Sequence, residues 1–182
     1  MGSLTLSKSS IILGGGFYLV RIEADCLSET DHVRVIQARN HSQTRKAFFN
    51  DDEITLDSHL EWFTAYLKNP YDIIFSIYYD NTYAGQISIY NINVKSKHAE
   101  IGRLFLIPNK RGNGIMNIVL KFILDDLRDG GEFNYVYLYS KVASFSAIKL
   151  YEKCGFDVLA GPTSETYPDL TSQTAVKMVM RL

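Results

Sequence analysis

Two rhythms of apolar spacing run along the chain, and the places where one gives way to the other predict its elements. FYLVRIEA (17–24) alternates as a strand with one covered face does. DHVRVIQARNHS (31–42) and LDSHLEWFTAYLKNP (56–70) have helical spacing instead. In the second, Leu60, Phe63, Tyr66 and Leu67 are expected on one face, with Asp57 or Thr55 as the cap. DIIFSIYYDNTYAGQISIYNI (72–92) predicts a hairpin, because two β-branched and aromatic runs flank Asp80-Asn81. HAEIGRLFLIP (98–108) predicts a strand closed by Pro108. Ile115, Ile118, Val119, Phe122, Ile123 and Leu127 then mark an amphipathic helix from Gly114 to Arg128. YVYLYSKV (135–142) reads as a strand, SFSAIKLYEKCG (144–155) as a helix ended by Gly155, and AVKMVMRL (175–182) as a last strand. No repeat, low-complexity segment or linker interrupts this alternation, which predicts one α/β (α+β) domain over 1–182.

Composition narrows the class. With 182 residues, 46% hydrophobic and 21% charged, the chain has the size and balance of a soluble globular protein with a proper core. A net charge of −1 exerts no long-range pull on nucleic acid or on an anionic membrane, so neither is expected as a partner. Cys26 and Cys154 lie far apart, with no His or Cys at ligand spacing, which predicts neither a disulfide framework nor a metal site and suits a reducing cytoplasm. The apolar runs are too short to span a bilayer. MGSLTLSKSSIILGGG lacks the charged, apolar and small-residue order of a signal peptide. Leu6 stands where a myristoylation signal wants Ser or Thr.

Candidate chemistry begins at NKRGNGIMN (109–117), between two apolar runs. Glycines cost about 1 kcal/mol each against Ala inside a helix, so Gly112 and Gly114 are not there for helix stability. A strand leading through a glycine turn into a helix presents unpaired first-turn amides and a positive dipole end to that turn. Bare backbone there lets a phosphate or pyrophosphate approach. A P-loop is excluded because no Lys follows Gly114, and a dinucleotide fingerprint because Asn117 stands where its last small residue belongs. A plain tight turn uses the same glycines.

The surroundings add a family. RLFLIPNKRGNGIMNIVL resembles the cofactor motif of the GNAT (Gcn5-related) acetyltransferases: strand, Pro, Arg/Gln-x-x-Gly-x-Gly/Ala, helix. Arg111 and Gly114 match, and Met116 departs from the usual Gly or Ala. Further on, SFSAIKLYEKCGF resembles the family's second signature. Ala147, Leu150, Tyr151, Gly155 and Phe156 match, while Ser144 replaces Asn. The resemblance covers residues 72 to 182. Upstream of it, residues 38–63 carry Arg39-Asn40-His41, then Phe48-Phe49, then Ile54-x-x-x-x-His59, and this stretch resembles the bacterial N-acetyltransferases of nucleotide-linked amino sugars of the pseudaminic-acid type. The fold implied is a mixed, mostly antiparallel sheet flanked by helices, whose fourth and fifth strands splay apart around acetyl-CoA or another acyl-CoA, with no metal.

On this resemblance the amides of Gly112, Asn113, Gly114, Ile115 and Met116 hold the pyrophosphate, and Arg111 opens the loop. Ser144 and Ala147 also face the cofactor, and the backbone of Phe105 and Leu106 pairs with the pantetheine arm. Tyr151 reads from spacing alone as a core residue, sharing a face with Ala147, Leu150 and Cys154. The family pattern makes it the general acid for the leaving thiolate, a role that suits a phenol protonated at neutral pH. Glu100 is the candidate base, set against an exposed strand glutamate, with His98 and His59 as alternatives. Alternation sends Glu100, Gly102, Leu104 and Leu106 to one face.

The acceptor half is ARNHSQTRKAFFNDDEITLDSHLEWF (38–63). The sugar-nucleotide resemblance implies that Arg39 and His59 contact the substrate. Phe48, Phe49 and Trp62 then wall it, although Trp62 also fits simple helix packing. The expected activity is N-acylation, by acetyl or a longer group such as hydroxybutyryl, of a dTDP- or UDP-linked deoxyamino sugar. A ribosomal-type protein N-terminal acetyltransferase and a non-catalytic CoA-binding sensor are the alternatives. A homodimer is compatible with this reading.

Overall fold

The computed structural model describes residues 9–23, 27–160 and 175–182; Leu6, Ala24 and Cys26 lie outside them. Its strands are β1 (Ser10–Gly14), β2 (Phe17–Arg21), β3 (Ile73–Tyr79), β4 (Thr82–Asn93), β5 (His98–Leu106), β6 (Tyr135–Lys141), β7 (Asp157–Ala160) and β8 (Ala175–Arg181). The helices are α1 (Glu29–Asn40), α2 (Ser42–Arg45), α3 (Leu56–Leu67), α4 (Ile115–Gly130) and α5 (Phe145–Lys153). The expected elements are present. The short β1, α2 and β7 were not expected, nor was a 3₁₀ turn at Pro108–Lys110. Asp80 and Asn81 make the β3–β4 turn with φ of 48° and 56°, the left-handed pair that a tight hairpin requires.

All strands join one eight-stranded sheet, in the order β1-β2-β3-β4-β5-β6-β8-β7. Every pairing is antiparallel except β5 with β6. That parallel step needs a crossover, and α4 supplies it. The helix buries Ile115, Val119, Leu120, Ile123, Leu124 and Leu127 in the cluster formed with Ile87, Ile101, Val136 and Met178 of the sheet. Complete burial of such a side chain is worth about 2 kcal/mol, so this helix is anchored firmly against the sheet. Ile118, expected on the buried face, is 40% exposed, and Leu120 and Leu124 lie inside instead. A second correction concerns α3. Leu60 and Leu67 are exposed, and the buried face is His59, Phe63 and Tyr66, at helical steps toward α1 and β3. Thr55, not Asp57, caps this helix, in a capping box with Ser58.

The third correction shapes the site. Gln86 pairs with Phe105 but Ser88 pairs with Gly102, so β5 carries one residue more than β4 across this step. The bulge lies at Arg103, whose φ is 49°, and it flips the alternation that a regular strand keeps. Leu106 therefore joins the main core, and Phe105 joins Val35, Ala38 and Tyr83 beneath α1. Glu100 and Leu106 do not share a face.

Candidate active site

β5 and β6 pair only from His98–Glu100 to Tyr135–Tyr137. Beyond that point the strands part, as expected of the fourth and fifth strands, which become β5 and β6 because β1 precedes them. The gap holds a cavity of about 250 Å³. Glu100, Gly102, Leu104 and the Arg103 bulge line one wall, and Tyr139, Ser144, Ala147 and Tyr151 line the other.

The glycine turn stands at the carboxyl end of β5, where α/β crossovers place ligands. Gly112 and Gly114 have φ of 82° and 74°, and a Cβ at either position meets nothing within 4 Å. Open space and a left-handed backbone here are what a phosphate cradle needs. Gly114 is the N-cap of α4 and no side chain caps the helix. The first backbone bond there runs from the Ile118 amide to the Gly114 carbonyl, at 3.1 Å. The amides of Ile115 and Met116 are thus first-turn donors, and the Met116 side chain packs against the core. Arg111 turns away from the loop. Its Nε donates to the Leu106 carbonyl at 2.9 Å and its Nη2 to the Thr44 hydroxyl at 2.7 Å, tying the end of β5 to α2. That bond engages the Leu106 carbonyl, and the Phe105 side chain lines a different cavity. The stretch of β5 that lines the gap is Glu100 to Leu104.

Tyr151 projects from α5 into the gap, packed edge-on against Phe156. Burial, and then the neighbouring Cys154, push its phenol up to about 12, so it stays protonated at any physiological pH. Ser144 is the N-cap of α5 without a side-chain bond. Glu100 is 4% exposed, which removes the exposed-glutamate alternative. Tyr90 Oη donates to its Oε1 at 2.6 Å and Asn91 Nδ2 to its Oε2 at 2.9 Å. Burial, followed by the nearby Glu100 charge, raises the Tyr137 phenol to about 12. His98 is not brought to the gap; its ring stacks on Tyr135 and bonds its hydroxyl at 3.1 Å.

A second cavity, of about 430 Å³, opens between α1, α3 and the β4–β5 pair. Arg39, Phe48, His59 and Trp62 all line it, and Phe49 lines the β5–β6 gap. Trp62 is 38% exposed, at the cavity rather than in the core. Arg39 lies 3.8 Å over the Phe48 ring and donates through Nη2 to the Asn50 carbonyl at 2.6 Å. Its Nη1 is buried without a partner. His59 Nε2 meets Nδ1 of His32 at 3.0 Å, and burial, then His32, lower His59 to about 4.

Sequence reasoning missed Arg103, which lines both cavities. Its Nη1 contacts both oxygens of Asp72 at 2.8 Å, and its guanidinium lies 4.3 Å from the Tyr90 centroid and 5.5 Å from that of Trp62. Tyr90, Asn91 and Thr44 were also missed. A three-residue offset from the candidate base on the same strand is too common a signal to have singled out Arg103. Among the described residues no cluster of His, Cys, Asp and Glu has the grouping of a metal site, and no helix is long and apolar enough to cross a membrane.

A splayed parallel strand pair, a phosphate-ready glycine turn and a protonated phenol in the gap define a class: transferases that use an acyl-CoA. Comparison with known proteins makes it specific. The acetyltransferase (GNAT) family model matches residues 36–156, and the chain belongs to that family. Its cosubstrate is acetyl-CoA or another acyl-CoA. Similar solved structures include the microcin C7 self-immunity acetyltransferase MccE in complex with acetyl-CoA and AMP. Identity is 17% and the TM-score 0.81, over 99% of this chain and 100% of that one. RimL, a ribosomal L7/L12 alpha-N-protein acetyltransferase, is 15% identical with TM-score 0.79, over 95% and 94%. The spermidine N-acetyltransferase from Vibrio cholerae, in complex with CoA and spermine, is 19% identical with TM-score 0.76, over 90% and 95%. No curated protein matches the sequence.

Proposed function

We propose that this N-acetyltransferase acylates the amino group of a small nucleotide-linked substrate, a dTDP- or UDP-linked deoxyamino sugar, for a surface glycan. The observation that carries the reading is the 430 Å³ cavity. Its Phe48 and Trp62 faces suit stacking on a base or sugar, and the buried Arg39 Nη1 suits an anionic oxygen. Among the described residues no carboxylate lines this cavity, which disfavours a polycation such as the spermine of the Vibrio structure. The AMP of the MccE structure shows the fold beside a nucleotide.

The residues then divide the work. Acyl-CoA supplies an activated thioester. The amides of Gly112 to Met116 hold its phosphates, and Ser144 and Ala147 flank the arm. The free edge of β5 beyond Glu100 pairs with the arm and offers a backbone amide to the carbonyl oxygen as charge builds on it. Tyr151 Oη donates a proton to the sulfur that leaves as the amine bonds to the carbonyl carbon. The proton shed by the amine passes to the Glu100 carboxylate, directly or through Tyr90. The acyl group is acetyl or a longer chain. An acyl-CoA cosubstrate and the buried free thiol of Cys154 suit a cytoplasmic enzyme.

Free-thiol release from acetyl-CoA, measured against a panel of amino-sugar nucleotides, basic peptides and polyamines, tests this. Turnover confined to the sugar nucleotides supports the reading. Turnover with basic peptides alone transfers it to protein N-termini. Tight CoA binding with no turnover on any of them assigns the chain to CoA sensing.

A further inference from the structure

We propose that Arg39 and Arg103 form the subsite for the acceptor's phosphate groups, at the threshold between the two cavities. The inference rests on the nucleotide-linked acceptor proposed above and adds where its charge lies. Arg39 comes from α1 and Arg103 from the β5 bulge, yet each lines both cavities, and Phe48 and Asn50 are the other residues that do so.

Each guanidinium is held, but neither is used up. Arg39 is fixed by the Phe48 ring on one face and the Asn50 carbonyl at Nη2. Its Nη1 is buried with no acceptor, and no carboxylate lies within ion-pair distance of Arg39 among the described residues. A buried donor left without an acceptor is costly, and an incoming anionic oxygen relieves that cost. Arg103 contacts Asp72 through Nη1 alone, which leaves the other edge of its fork free while Tyr90 and Trp62 fix its plane. Planar forks that are held in advance suit phosphate better than flexible ammonium groups do. The left-handed backbone at Arg103 points to the same end: the bulge re-aims this side chain from the strand toward the junction.

A phosphate group at this threshold orders the rest of the acceptor. The nucleoside lies in the 430 Å³ cavity against Trp62, and the amino sugar reaches into the gap toward Tyr151. Asp72 is a positioning residue that keeps Arg103 in place.

Trp62 is the only tryptophan of the chain, so its fluorescence reports on this cavity. The full-length protein is first saturated with CoA, which fills the glycine turn, and is then titrated with UDP, dTDP, uridine, inorganic pyrophosphate and spermidine. The expected result is a saturable change with UDP or dTDP at least tenfold tighter than with uridine, and displacement by pyrophosphate. Arg39→Gln and Arg103→Lys should each weaken the diphosphate at least tenfold and leave uridine unchanged; the Lys variant keeps a cation beside Asp72, and thermal melting confirms that both variants are folded. Uridine binding as tightly as UDP, or UDP affinity unchanged in both variants, overturns the subsite while leaving a nucleoside acceptor standing. Pyrophosphate binding that needs both arginines, with no tighter binding of the nucleoside diphosphates, supports the subsite and removes the nucleotide from the acceptor. Spermidine binding tighter than any phosphate overturns the subsite and the acceptor class together.

Discussion

The buried imidazoles of His32 and His59 meet ring nitrogen to ring nitrogen, Nδ1 to Nε2 at 3.0 Å, so only one of the two facing nitrogens carries a proton. Protonating His59 places a charge inside an aromatic nest of Phe63 and Trp62, away from water. Its value of about 4 in the folded protein lies below the 6.5 of a free histidine. Between those values the unfolded chain binds more protons than the folded one, so stability rises with pH there. The contribution is complete above pH 6.5 and is lost as pH falls toward 4. One unit is worth about 1.4 kcal/mol, and with allowance for solvent screening about 2 kcal/mol should disappear. Urea midpoints at pH 7, 5.5 and 4.5 measure it, and His59→Gln should flatten the profile across that window. An equally steep profile in the variant would assign the acid sensitivity to other groups.

Tyr151→Phe isolates one hydroxyl in the β5–β6 gap. The ring still packs against Phe156, so folding and CoA affinity should stay near their original values. Loss of a general acid costs about 10²–10⁴-fold in rate, so kcat should fall by about that factor. With the phenol held at about 12, the unmodified enzyme should also show no alkaline loss of activity from this group below pH 10. Parallel losses in kcat and CoA affinity would reduce Tyr151 to packing.

Both of these sites show what local pattern reveals and what it hides. Asp80-Asn81, Gly112, Gly114 and Tyr151 were legible because a turn, a phosphate-ready backbone and a spaced signature are written in neighbouring residues. The α3 face was misread because His59 is buried by its bond to His32, which lies 27 positions away. Apolar count alone favoured Leu60 and Leu67, both of which face solvent. Arg103 was hidden more deeply. Its orientation depends on a register slip against β4 and on a carboxylate 31 positions earlier, and neither leaves a periodic trace. That Phe48 and Trp62 would share one region was legible in the sequence, whereas the place of Arg103 beside them was not.

Gly114 and Gly131 sit at opposite ends of α4, both left-handed and both with empty space where a Cβ would stand. An Ala at either position meets the same backbone strain, about 1 kcal/mol. For a chain of this size that lowers Tm by about 3 °C. Only at Gly114 does the methyl enter the space assigned to phosphate. Gly114→Ala should therefore weaken CoA binding at least tenfold by calorimetry, and Gly131→Ala should not change it. Equal CoA affinity in the two variants would remove the glycine turn from cofactor binding.

Glu100 accepts from Tyr90 at one oxygen and Asn91 at the other, so charge and position can be separated by substitution. Asn91→Ala removes one donor and keeps the carboxylate. Glu100→Gln keeps the shape, removes the charge and turns an amide donor toward either Tyr90 or Asn91. A mismatch of that kind costs about 1–3 kcal/mol, so both variants should melt earlier than the parent. If the carboxylate takes the amine's proton, Glu100→Gln should lose at least about 10²-fold in kcat and Asn91→Ala far less. A third variant, Tyr90→Phe, breaks the 2.6 Å bond from the opposite side. It should fall between the two if Tyr90 relays the proton, and match Asn91→Ala if it only holds the carboxylate. Equal, small losses in all three would leave Glu100 as a strut for the β4–β5 pair and pass the proton to water.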